Sequence, residues 1–91
     1  MPNSIAITVE NTFCTPVYIV GHGALILSGT FAANVVLQAS SNGIDGWVPT
    51  GDSYTAPGVN TFTDYTGQYY RAGVPTGGYT SGTVNLTLRG A

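Results

Sequence analysis

The sequence predicts an all-β fold: a single antiparallel β-sandwich, or a partly closed β-barrel, of about seven or eight short strands. Three observations carry this expectation. Apolar and polar residues alternate with a period of two in the clearest runs, and no segment keeps a helical period. β-branched and aromatic residues dominate those runs, as half-buried pleated surfaces prefer. Turn chemistry recurs between them, with 13 Gly and 5 Pro interrupting the chain too often for long helices. Residues 1–91 are enough for one domain and too few for two.

The elements follow in order. Ile5, Ile7 and Val9 alternate with Ala6 and Thr8 and form the first strand, and Met1 to Ser4 could be a short mobile arm ahead of it. Pro16 to Val20 form a second strand, which Gly21-His22-Gly23 breaks before a further one resumes at Ala24. Asn34 to Ser40 place Val35 and Leu37 on one face. Asn42-Gly43 and Asp45-Gly46 are turn dipeptides that tolerate positive φ, so Trp47 stands at a strand start rather than at a loop tip. Its expected role is to cover one end of the core while its indole N–H reaches a polar group, with a ligand or partner contact as the other use. "WVP" and "SYTA" flank a turn at Thr50 to Asp52, and "VNTFTDY" follows Pro57-Gly58. In Gln68 to Val74, Tyr70, Ala72 and Val74 face inward if Tyr69 and Arg71 face outward together. The last strand alternates Val84, Leu86 and Leu88 with Thr83, Asn85, Thr87 and Arg89.

Charge is the unusual feature. Charged residues make up 7% of the chain and none is lysine, against roughly 25% in ordinary soluble domains. The apolar content of 43% supports a core, and a net charge of −2 gives little repulsion between copies. Such a surface suits packing against other copies or another assembly. Nucleic acid and anionic membranes are not expected partners, because only Arg71 and Arg89 could neutralise phosphates. No apolar run approaches the roughly 20 residues that span a bilayer. The start "MPNSIAITVENTF" lacks the basic and continuous apolar parts of a secretory signal. Cys14 has no second cysteine to bridge and is expected as a small buried hydrophobe.

Gly29-Thr30-Phe31, "VVLQASSNGIDGW", a Gly-Val run and "GQYYRAGVPTGGYTSGTVNLTLRG" together resemble small β-sandwich virion proteins of tailed bacteriophages. The resemblance covers Gly29 to Gly90, although Ser-Asn-Gly stands here where Asp-Gly is commoner directly after the strand. It implies a structural protein: a capsid decoration (cement) protein seated on the major capsid protein, or a small tail, baseplate or head-completion component. Such decoration proteins are often homotrimers. It further implies synthesis in the host bacterial cytoplasm and residence on the virion surface.

Chemistry is poorly provided for, and the chain is expected not to be an enzyme and to need no cofactor. His22 is expected as a turn residue, with no nucleophile elbow or papain-like context around it. Glu10, Asp45, Asp52 and Asp64 are dispersed and expected to solubilise loops. Asn42, Asp45 and Asp52 offer oxygens near one loop, but calcium needs six to eight, and turn capping accounts for them. One Cys and one His cannot close a zinc site. "GVPTGGYTSG" lacks the lysine of a phosphate loop. Asn85-Leu86-Thr87 is expected as the polar face of a strand rather than a glycosylation site. The rival use is carbohydrate recognition by Trp47, Tyr54, Tyr65, Tyr69, Tyr70 and Tyr79. An outward Tyr beside Arg instead suits a protein interface, so Tyr69, Arg71, Trp47 and Tyr79 are the candidate interface residues.

Overall fold

The computed structural model describes residues 3–90, with the side chains of all but Asn3 and Asp52. It is all-β and antiparallel. β1 (Asn3–Ile7), β2 (Thr12–Phe13), β3 (Val17–Ser28), β4 (Phe31–Ala33), β5 (Val35–Ser40), β6 (Val48–Tyr54), β7 (Gly58–Val74), β8 (Tyr79–Gly82) and β9 (Val84–Gly90) follow in chain order. Seven of them form one sheet, β1-β9-β3-β7-β5-β6 with β2 also on β7, and β4 pairs β8 in a small second sheet. Among the described residues no helix is long and apolar enough to cross a membrane.

The large sheet folds over itself because β3 and β7 run through both of its halves. One half contributes Ile7, Leu25, Leu27, Val84, Leu86 and Leu88 to the core, and the other Cys14, Ile19, Val35, Leu37, Tyr70, Ala72 and Val74. These residues form one cluster, the filling of a sandwich-like fold. The inward setting of Tyr70, Ala72 and Val74 and the alternation of β9 agree with the period-two pattern.

The strands are fewer in their breaks, and longer, than the sequence suggests. Gly21-His22-Gly23 does not end a strand: β3 continues through it for 12 residues, and β7 runs for 17. Between the pairs Ile19–Gln68 and Gly21–Asp64, β3 has only Val20 while β7 has Tyr65, Thr66 and Gly67. This bulge takes up the mismatch and bends both strands between the two halves. Gly21 and Gly67 provide the positive φ it requires, at 90° and 80°. His22 is therefore a strand residue, with Nδ1 3.3 Å from Thr63 Oγ1. The expected turn at Thr50 to Asp52 lies within β6, as an irregularity opposite the Val36–Gln38 step of β5.

Of the arm expected over 1–4, Asn3 and Ser4 already pair with Leu88 and Thr87 of the chain's own β9. Met1 and Pro2 lie outside the described residues. Val9 lies beyond the end of β1 and is exposed. Cys14 is buried, its Sγ accepts the Ala72 N–H at 3.4 Å, and burial raises its thiol pKa, so it serves as a core residue. Asn85 is exposed, and Thr87 Oγ1 lies 3.0 Å from Ser4 Oγ on the polar face of β9.

Candidate functional site

The face of β7 turned away from the core carries Tyr69, Arg71 and Gly73. Antiparallel register sets Tyr69 between Tyr18 of β3 and Ser40 of β5. Arg71 stands opposite Gln38, and Gly73 lies between Val36 and Phe13 of β2. The Arg71 guanidinium carbon sits 4.2 Å from the Phe13 ring centroid and 4.6 Å from that of Trp47. Its Nε–H donates to Gln38 Oε1 at 2.8 Å. Tyr69 meets Tyr18 edge to face, with centroids 5.0 Å apart, and Tyr18 is 54% exposed. Partial burial pulls the Arg71 pKa down from its ordinary value, but an arginine stays protonated in any protein setting. The result is one cation within an aromatic strip that spans β2, β3, β7 and the loop before β6.

The structure thus brings together Tyr69, Arg71 and Trp47 and leaves Tyr79 apart. Tyr79 lies in β8, half-buried against the core, with its hydroxyl donating to Gly82 O at 2.7 Å. Trp47 does not cover an end of the core; its ring covers Arg71 on the opposite side of the sheet. Tyr54 and Tyr70 pack with the core, while Tyr65 is 78% exposed beside His22. Phe13, Tyr18 and Gln38 are the members that sequence reasoning misses. Only long-range register places them beside Arg71.

The loop that presents Trp47 is built on Ser40, which is 3% exposed. Ser40 Oγ donates to Asp45 O at 2.6 Å, with Asn42 Oδ1 a longer acceptor at 3.0 Å. It accepts the N–H groups of Asn42 and Gly43 at 3.3 and 3.2 Å. Asn42 Oδ1 accepts from Ile44 N and Asp45 N, and Asn42 Nδ2 donates to Asp45 Oδ1. Asn42 and Asp45 are thus occupied in capping their own loop; the side chain of Asp52 lies outside the described residues. Ser40→Ala removes the hub of this network and is expected to cost about 2 kcal/mol, read from urea unfolding. Trp47 is the only tryptophan, so its fluorescence should shift in the folded state as the loop loosens.

Asp64 has a larger task than solubilising a loop. Its Oδ1 accepts the N–H and hydroxyl of Thr66 at 2.8 and 2.7 Å. Its Oδ2 accepts Gln68 Nε2 at 2.9 Å and the Tyr70 hydroxyl at 2.6 Å. The carboxylate ties the bulge to a core residue. The Tyr70 and Thr66 hydrogen bonds hold its pKa well below the usual carboxylate range. Burial first, then Asp64, push the Tyr70 phenol up to about 12. The Asp64 contribution is therefore complete above the ordinary range near about pH 4 and is lost progressively as pH falls below it. That of Tyr70 is complete below about pH 10 and is lost as pH rises toward about 12. Melting temperature against pH should show both limbs, the acid one reduced in Asp64→Asn and the alkaline one in Tyr70→Phe.

Among the described residues, shallow clefts that include the following three lie elsewhere. The largest described, of about 550 Å³, is lined by His22, Gly23, Ala24, Thr61, Arg89 and Gly90. The others border Ser4 to Ala6 with Asn85 to Thr87, and Phe31 to Asn34 with Gly77 and Gly78. Among the described residues no group of three or more His, Cys, Asp or Glu could hold a metal ion. Comparison of the chain with family models, curated proteins and solved structures gave no match.

Proposed function

We propose that the chain is a non-enzymatic structural protein of a bacteriophage virion, a capsid decoration protein that acts as a homotrimer on the capsid surface. The observation that carries the docking role is the strip of Tyr18, Tyr69, Trp47 and Phe13 around Arg71 on a nearly uncharged sheet. Buried aromatic and arginine anchors dominate the energetics of protein interfaces. The edge strand β1, "NSIAI", supports self-association: it has no charge and no Pro, and among the described residues β9 is its only strand partner. Such an edge offers its backbone groups to another chain. β6, the opposite edge, carries Pro49 and an irregular Gly51 and is less suited to pairing. The assignment to a phage particle draws on the resemblance over Gly29 to Gly90.

The mechanism is mechanical. Each docked copy adds buried area that capsid expansion or internal pressure must break. With so few charges, docking should depend only weakly on salt. Size-exclusion chromatography with light scattering tests the assembly, and a trimer is the expected result. The same aromatic strip also favours the carbohydrate reading, because flat rings can stack on sugars. A stable monomer that binds glycans on an array, and loses them in Trp47→Ala or Tyr69→Ala, would establish that reading instead.

A further inference from the structure

The Arg71 side chain is prepared more fully than a packing role requires. Two rings cover its guanidinium, at 4.2 Å for Phe13 and 4.6 Å for Trp47. Gln38 holds Nε in place. The two terminal amino groups remain, and among the described residues neither has a hydrogen-bond partner or is buried without one. A guanidinium is a planar fork matched to the two oxygens of a carboxylate. Restraining it in advance lowers the ordering cost when such a ligand arrives. We infer that this exposed edge of Arg71 is a receptor for a carboxylate presented by a partner protein.

Charge complementarity favours a different protein over a second copy. Apart from Asp52, whose side chain lies outside the described residues, the acidic side chains are engaged within the chain. Glu10 accepts Gly77 N–H at 3.1 Å, Asp45 holds Asn42, and Asp64 accepts four hydrogen bonds. Shape favours a protein over an acidic sugar. Small-ligand sites are concave, whereas this strip lies on an outer sheet face and the three clefts above are lined by other residues. The partner is therefore a protein surface with a projecting Asp, Glu or C-terminal carboxylate, set among apolar groups that meet Tyr18, Tyr69 and Trp47. This inference deepens the docking role proposed above and rests on it.

The test titrates isotope-labelled full-length protein with hexaglutamate, hexaglutamine and glucuronate at constant ionic strength. Expected are saturable NMR shifts at the Arg71 Nε–H and the Trp47 indole N–H with hexaglutamate and none with hexaglutamine. Arg71→Lys keeps the charge but loses the fork, and should weaken hexaglutamate binding about ten- to a hundred-fold. Gln38→Ala, which frees Nε, should weaken it by a smaller factor. Should Arg71→Lys fail to fold, the wild-type shifts and Gln38→Ala decide. Equal binding by Arg71→Lys, or shifts at other residues, would overturn the inference. Tighter binding of glucuronate at the same resonances would replace the protein partner with a sugar. Loss of self-association in Arg71→Lys would replace it with a second copy. Cosedimentation with particles of the bacteriophage proposed to carry the protein separates the two proposals. Wild type and Arg71→Lys decorating equally would sink only the carboxylate receptor, and wild type failing to decorate would sink only the virion role.

Discussion

Gly73→Ala is expected to destabilise the protein by about 3 kcal/mol, at the upper end of overpacking effects. A Cβ at this position would run into the Thr12 carbonyl oxygen and lie 2.6 Å from the Phe13 Cα. Both obstacles are backbone, so no side-chain rotation relieves them. Either β2 leaves β7 or both strands distort, and the Cys14 N–H···Ala72 O bond beside them, 2.9 Å long, is strained as well. For a domain of this size the loss lowers the melting temperature by roughly 10–20 °C. The functional effect goes with the structural one, because β2 positions Phe13 over Arg71. Trp47 fluorescence in the surviving folded state should therefore report a freer guanidinium. Ser81→Ala, at an exposed position in β8, should change stability by less than about 0.5 kcal/mol.

Leu25→Ala should cost about as much by the opposite route. Leu25 is 0% exposed in the middle of β3, opposite Leu88 of β9. Truncation removes the transfer free energy of the lost methyl groups and leaves a cavity that closely packed neighbours fill only in part, for about 3–4 kcal/mol. Urea unfolding should show a lower midpoint with an unchanged slope. Leu25→Met, which keeps the volume, should cost less than about 1.5 kcal/mol.

The parts of this protein that sequence makes legible are those governed by nearest neighbours. Alternation in Val84 to Arg89 gives both the strand and its buried face. The same period places Tyr69 and Arg71 together and sends Tyr70, Ala72 and Val74 inward. Strand ends are less legible, because a glycine can mark a bulge as readily as a stop. Gly21-His22-Gly23 looks like a break, yet two extra residues in β7 let β3 continue past it. Asp64 is obscure for the same reason: its hydrogen bonds matter only once the bulge brings Thr66, Gln68 and Tyr70 around it. Trp47 illustrates the limit at the site. Its position just ahead of a strand follows from the turn residues, but the face it covers depends on the β5–β7 register. Phe13 and Tyr18 reach the strip from distant parts of the chain and carry no local mark of doing so.

A sheet with hardly any charge places one restrained arginine among aromatic rings. The central claim is that this face docks on a neighbouring molecule in an assembled particle. A density map of intact particles of the bacteriophage proposed to carry the protein, at a resolution that traces side chains, tests it most directly. The account predicts trimers at regular positions on the capsid exterior, with the Arg71 face of at least one copy covered by another virion protein. Particles without the protein, or copies whose Arg71 face points into open solvent, would contradict it.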